Sequence, residues 1–417
     1  MLTRFFQERR DQLIGPLHPR DPALAELFGV RPAAAGVDVS ERTAISWPAL
    51  SCGIRLIAET IGMLPVDVCR RRDRGRDILD NHPAARVLDD PNPEQTAFEF
   101  KEMLQSHALW WGNGYAQIIR NKGGIPIELW PLSPDRVTVF RDGAMNLIYR
   151  IGLPREPYGM AATSVLLPAD EVLHIRGFTR YGLMGDRMTQ TFRETIGLGL
   201  ATELFGALFF GQGANAGGVI THPAQLTEEA QERLRKQKEN QVAGISRAHR
   251  VMILEEGMTW HQTSVDPEKA QFLGTRQFQV VEASRILRIP PHLLYDLTRG
   301  TFSNIEQQGI EFVTYTMMPW AVRWEQRLRK MLLGFKDASS TYFKFRMNSL
   351  LRGDSAARLA FYQGMIQNGV FSQNDVLELE DLNPIEGGDV HRILSTLVPI
   401  TGPDVPKPEG APQSGQE

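Results

Sequence analysis

The chain has 417 residues, 42% of them hydrophobic and 23% charged, a balance that excludes wholesale disorder and allows roughly two to four domains. A formal net charge of −3 argues against a protein that coats nucleic acid, which needs surplus Lys and Arg to displace counterions from phosphate. Two cysteines, Cys52 and Cys69, cannot build a disulfide scaffold or a four-cysteine zinc site, and they suit a reducing compartment.

Residues 1–40 mix charges with prolines and small residues and read as an arm or linker. The opening MLTRFFQERRDQLIG has no continuous apolar run, which argues against a signal peptide, and its acids Glu8 and Asp11 argue against a transit peptide. The first helix is expected after Ser46, with Ser46 as cap, Pro48 in the first turn and Gly62 at the end. Its periodicity puts Leu50, Ile54, Ile57 and Ile61 on one face. PVDVCRRR alternates like a strand, and Arg70, Arg71, Arg72, Arg74 and Arg76 read most simply as a solvated hairpin tip, with a nucleic-acid patch as the alternative. Thr96 and Glu99 form a capping box for a second helix ending at Gly112. Short strands follow: YAQIIR, IELWPL, RVTVF and EVLHIRG, with turns at Asn121–Gly124, Ser133–Asp135 and Asp142–Gly143. Residues 41–180 therefore read as α+β with hairpin-linked strands, unlike the alternation of a doubly wound sheet.

Residues 192–211 read as a helix apolar nearly all round, with Ile196, Leu200, Leu204 and Leu208 on one face and Phe205 and Phe209 on another. Such a helix must be buried on every side, as a central core helix of one chain or between neighbours in an oligomer. It is short for a membrane span and carries Glu203, so no membrane association is expected. A small insert follows: strand-like GGVIT, a charged helix capped by Thr227, then VMILEEG and MTWHQTSV. Another helix starts near Pro267 and stops at Pro290–Pro291. After the polar loop TRGTF, Ser303 and Glu306 read as a capping box for a long helix that Pro319 should break or kink. A strand at YFKFRMN, a helix ending at Gly369 and a helix capped by Ser372 and Asp375 follow, and the Pro- and Gly-rich end is expected to be disordered.

Catalytic signatures are missing. There is no phosphate loop, no G-x-S-x-G elbow, no His-Glu-x-x-His and no Cys-x-x-Cys. Gly211, Gly213 and Ala216 imitate a dinucleotide motif, but they follow a helix and precede a strand, the reverse of the order that sets pyrophosphate on a helix N-terminus. The adjacent acids Asp89–Asp90 and Glu255–Glu256 cannot easily share a metal. No cofactor and no metal site are expected. His174 reads as a partly buried strand histidine. The alternative function is a soluble α+β enzyme of unknown reaction, with its site around His174 and the turn Gly112–Gly114.

Several segments together resemble tailed-bacteriophage portal proteins of the siphovirus type. They are SCGIRLIAETIGMLPVDV, HPAARVLDDPNP, WWGNGYAQIIRNKGGIPIELWPLSPDRVTV, EVLHIRGF, LFFGQGANAGGVI, RIPPHLL, FSNIEQQGIEFVTYTMMPW and NGVFSQNDVLELEDLNPIEGGD. The likeness covers roughly residues 41–390 in order, with one departure where Gly185 begins Gly-Asp-Arg-Met instead of G-S-P-I. The resemblance implies a ring, usually a dodecamer, at one capsid vertex, with double-stranded DNA passing through its channel.

It further implies a wing over 41–192, stem helices over 193–213 and 269–289, a clip over 214–268, a second wing part with a kinked long helix over 290–352, a crown over 353–392 and a tail over 393–417. The stem face would be Ile196, Leu200, Leu204, Phe205, Leu208 and Phe209. The clip, with Glu228, Glu229, Glu232, Arg233, Arg235 and Lys236, would meet the large terminase subunit and then the head–tail adaptor. Thr298, Arg299, Gly300, Thr301 and Phe302 would form a DNA-facing tunnel loop. Capsid or scaffolding protein is a further implied partner, and the location is the virion, with the host cytoplasm during assembly. The residues suit that role: nine acids from Ser372 onward face only Arg392 and Lys407, and the loop offers one charge, Arg299, so a passing duplex meets little electrostatic brake. Taken alone, that loop reads as ordinary surface.

Overall fold

The computed structural model describes residues 33–72, 75–153, 164–180, 182–211, 218–221, 231–232, 259–262, 269–297, 302–334, 337–347, 350, 355–380 and 382–392. The chain divides into two compact units, Met1–Met347 and Asn348–Glu417.

The first unit begins with one helical turn, Glu41–Ala44, closed by a capping box between Ser40 and Thr43. Helix α1, Pro48–Met63, follows at once. Its N-cap is Trp47, which makes no side-chain cap, and not Ser46 as expected. Ser46 instead donates its hydroxyl to the Thr43 carbonyl at 2.7 Å, finishing the preceding turn. Pro48 at the first position needs no N–H partner, so the missing cap costs little. The predicted face holds: Leu50, Ile54, Ile57 and Ile61 are at most 2% exposed. The helix runs one residue past Gly62.

Strand β1, Val66–Arg71, lies between β2, Arg76–Ile78, and β11, Thr341–Phe345, so the N-terminal hairpin is completed from 270 residues downstream. Arg70, Arg71, Arg72 and Arg76 of the arginine run lie at the β1–β2 end, Arg74 lies outside the described residues, and Arg72 pairs with Asp77 at 2.5 Å, both accessible. Helix α2, Pro83–Asp89, leads to α3, Ala97–Trp110, opened by the predicted Thr96–Glu99 box. α3 packs along α1 through Phe100 and Leu104. On the same helix Lys101 is buried and donates to the Leu64 carbonyl at the end of α1, at 2.6 Å. Burial pushes its ammonium down to about 8, against the pull of Asp89.

Two three-stranded antiparallel sheets follow. One has the order β4 (Pro126–Leu132), β3 (Asn113–Arg120), β8 (Val172–Arg176), and the other β5 (Val137–Arg141), β6 (Leu147–Gly152), β7 (Ser164–Pro168). Tyr115, Tyr149, Leu167 and Val172 close the core between them. Helix α4, Arg193–Gly211, and strand β9, Gly218–Thr221, enter the insert, and β10, Thr259–Gln262, pairs antiparallel with β9 on the way out. Of the predicted charged helix only residues 231–232 are described, and they are helical; its cap Thr227 and the segment VMILEEG lie outside the described residues. Helix α5, Lys269–Leu287, returns from the insert and packs on α1 and α4.

Helix α6, Phe302–Glu311, already includes Ser303, so Ser303 is not its N-cap. Pro319 does not break the long helix. A six-residue π turn, Phe312–Met317, precedes α7, Met318–Leu332, with Pro319 in its first turn. A proline clashes with the carbonyl four residues back and offers no N–H, and the wider turn absorbs both defects. α7 buries Trp324, whose indole donates to Gln105 on α3 at 2.8 Å.

In the second unit α8, Ser355–Gln367, ends as expected, with Gly369 at φ +68°. α9, Gln373–Leu379, opens with the predicted Ser372–Asp375 box. The expected disordered end lies outside the described residues.

Candidate functional site

The helix singled out for its all-round apolarity, α4, is anchored at one end and open at the other. Ile196 is fully buried. A Cβ on Gly197 would lie 2.3 Å from Ala33, and one on Gly199 would lie 2.6 Å from Trp47, so these two glycines let the chain before α1 lie directly against the helix. Beyond them the apolar surface stays open. Leu204 and Leu208 are each 52% exposed and Phe205 50%; Leu200 is half-buried, and the Phe209 side chain lies outside the described residues. The helix is therefore not the central core helix of one chain.

Its partner α5 is alongside: Glu203 lies 3.8 Å from Arg276, and a groove of about 570 Å³ between them is lined by Leu200, Leu204 and Ala207. Burial raises the Glu203 carboxyl, with Arg276 pulling it back down. Phe278 on α5, which sequence reading passed over, is also half exposed. Leu204, Phe205, Leu208 and Phe278 thus leave apolar surface open on two adjacent helices.

The other expected site residues are mostly out of view. Thr298, Arg299, Gly300 and Thr301 lie outside the described residues, while Phe302 opens α6. The loop leaves from Tyr295, in the left-handed region at φ +62°, and Leu297, both well exposed. Glu228, Glu229, Arg233, Arg235 and Lys236 also lie outside, and Glu232 is exposed. Gln212 to Ala216 of the dinucleotide-like motif lie outside too, but the helix α4 before it and the strand β9 after it are in the order expected.

The alternative enzyme site does come together, as a closed clamp. His174 is 1% exposed, so it is fully buried and not partly buried as expected. Its Nε2 lies 2.9 Å from Asn113 Oδ1, which also accepts from the Gly185 N–H at 2.8 Å. An amide oxygen only accepts, so Nε2 carries the proton, and Nδ1 accepts from the Tyr149 hydroxyl at 3.0 Å. Asn113 Nδ2 donates to the carbonyls of Trp111 and Gly185. Cβ atoms on Gly112, Gly114 or Gly185 would strike backbone at 2.4, 2.4 and 2.0 Å. Both imidazole nitrogens are occupied and no water-accessible face is left, so the ring has no lone pair for a substrate. Burial, with Arg327 and Arg176 adding to it, holds its pKa well below the ordinary value. Among the described residues no group of acids, histidines and cysteines could hold a metal, and no helix is long and apolar enough to cross a membrane.

These histidines predict acid sensitivity. His107 on α3 is pushed down to about 4 by burial, against the pull of Asp135. An unfolded histidine titrates near 6.5. Below that pH the unfolded chain takes protons that folded His107 and His174 refuse, so stability falls as pH drops from about 6.5 toward 4. At pH 5 the His107 contribution is about 2 kcal/mol. The melting midpoint should fall between pH 7 and pH 5, and less so for His107→Phe; equal falls in both proteins would contradict the assignment.

Comparison with known proteins identifies the family and the fold. The family model described as "Phage portal protein" matches residues 48–381. The chain is 31% identical over 353 residues to the portal protein of Enterobacteria phage HK97, covering 84% of this chain and 81% of that one. It is 32% identical over 385 residues to a probable portal protein of Streptomyces phage phiC31, covering 89% and 81%. Among solved structures it resembles an HK97-family phage portal protein from Corynebacterium diphtheriae, with TM-score 0.57 at 16% identity over 75% of this chain and 96% of that one. It also resembles a chain from the neck of an empty gene transfer agent particle, with TM-score 0.55 at 22% identity over 89% and 96%. The mixed helix-and-sheet fold is thus a portal fold, and the chain belongs to the phage portal protein family.

Proposed function

We propose that this chain closes into a ring, a dodecamer, at one vertex of a capsid, and that double-stranded DNA enters and leaves through its bore. The observation that carries this reading is the half-exposed apolar stretch of α4, Leu204 to Leu208, beside α5. A single chain leaves it wet. A heterologous contact that repeats with a fixed rotation covers it on every copy and closes.

In this reading residues 41–192 are the wing, 193–213 and 269–289 the stem, 214–268 the clip, 290–352 the tunnel loop, long helix and second wing part, and 353–392 the crown. The clip, with Glu228, Glu229, Glu232, Arg233, Arg235 and Lys236, docks the large terminase subunit and later the head–tail adaptor, and capsid or scaffolding protein surrounds the wing. The ring sits in the virion and forms in the host cytoplasm. Each base pair carries two phosphates past the wall, so a bore that must release DNA should hold few bases. A chain of net charge −3 supports that. The role is structural, with no catalytic step and no cofactor.

Light scattering on the purified protein tests the reading against the enzyme alternative. A ring gives a mass many times one subunit and no ATP hydrolysis. A monomer-to-tetramer mass, or turnover abolished by a point substitution, would overturn it.

A further inference from the structure

A second open surface lies at the end of the helical pair where Phe192 precedes α4 and Ile286 and Leu287 finish α5. A groove of about 350 Å³ is walled by Phe178, Phe192, Tyr315 and Trp320 and carries two bases, Arg288 and Arg323. Phe178 is 69% and Tyr315 58% exposed. Among the described residues neither arginine forms an ion pair, and the one carboxylate in the lining, Asp186, is held by Arg180 at 2.6 Å. Arg323 stacks on Trp320 at 5.1 Å, and its guanidinium pKa is lowered by burial and by the like charge of Arg288.

The geometry of the groove is fixed. Arg288 is a non-glycine residue in the left-handed region, φ +60°, and its carbonyl accepts from Thr316 in the π turn. Two guanidiniums held together on an apolar wall without a counter-charge make a site for an acidic, apolar segment.

The segment ahead of the described chain ends beside this groove. Ala33 is 3% exposed, and the Ala34 N–H donates to Glu194 at 2.8 Å. Ala33 packs on Gly197, five residues past Phe192, so the exit point lies within about 15 Å of that part of the groove wall. Thirty-two residues precede Ala33, and Asp21–Val30, DPALAELFGV, has Leu24, Leu27 and Phe28 at three- and four-residue spacing, with Asp21 and Glu26 and no base. Six residues of chain span up to about 20 Å, enough to bring Leu27 into the groove.

We propose that Asp21–Val30 of the same chain docks in this groove, its leucines and Phe28 on the aromatic wall and its two acids against Arg288 and Arg323. The docked arm would latch α4, the wing and the π turn of the long helix together within one subunit. The inference does not depend on ring closure.

A disulfide trap tests it. In a Cys52→Ser background, Leu27→Cys is combined with Tyr315→Cys and oxidised, with Val165→Cys, at an exposed site on β7, as the control partner. The expected product is an adduct at one-subunit mass on a non-reducing gel. It should form equally in Leu204→Asp subunits, and adding Arg288→Glu and Arg323→Glu should reduce it to the control level. No adduct above the control, an adduct insensitive to the charge reversals, or one at two-subunit mass, which assigns the groove to a neighbour's arm, would overturn the proposal.

Discussion

Leu204→Asp should abolish ring assembly while leaving the subunit folded. Leu204 is 52% exposed in one chain, so an aspartate there meets water and costs the isolated subunit little. In the proposed ring the same position would be covered by a neighbour, and each interface would bury a carboxylate among Leu200, Phe205 and Leu208, with the nearby Arg276 already committed to Glu203. Several kcal/mol at each contact is a loss of about a hundredfold or more in its association constant, repeated around the ring. Leu204→Met, which conserves volume and apolarity, should assemble as the parent does. The measurement is sedimentation of both variants beside their circular dichroism. A folded aspartate variant that still sediments as a ring would remove α4 from the interface.

Deleting Thr298–Phe302 should have the opposite profile, with rings intact and packaging lost. The loop leaves the body at two exposed residues, Tyr295 and Leu297, and rejoins it at the start of α6. As the proposed narrowest part of the bore it would meet the duplex through small polar groups and Arg299, a contact to the backbone that reads no sequence. Particles assembled around the deletion should be shells of normal form with little or no retained DNA, counted by density gradient and by nuclease-protected DNA. Normal filling would remove the loop from the channel.

Much of the architecture was legible because local chemistry and tertiary packing agree. Thr96 with Glu99 and Ser372 with Asp375 satisfy orphan amides at helix starts whatever surrounds them, and both caps are present. The spacing of Leu50, Ile54, Ile57 and Ile61 defines a face that has to be buried.

The departures come where two signals compete. Ser46 is a good cap residue, but the turn capped by Ser40 ends just ahead of it and takes its hydroxyl. Pro319 reads as a break or kink because proline chemistry is local, whereas the π turn that accommodates it spans six residues. The candidate site was legible only in part. The apolar stripe of α4 announced a need for cover without saying who covers it. The histidine clamp joins Asn113, Tyr149, His174 and Gly185 from four separate segments, with no shared spacing to reveal it. The Arg288–Arg323 groove depends on a left-handed arginine that no sequence pattern signals.

Direct imaging decides the central claim. Electron micrographs of the purified protein, at a concentration where contacts between subunits saturate, should show annular particles of uniform subunit number, with a bore wide enough for a DNA duplex. Fields containing only compact particles of one to a few subunits, even with capsid protein co-expressed, would contradict it.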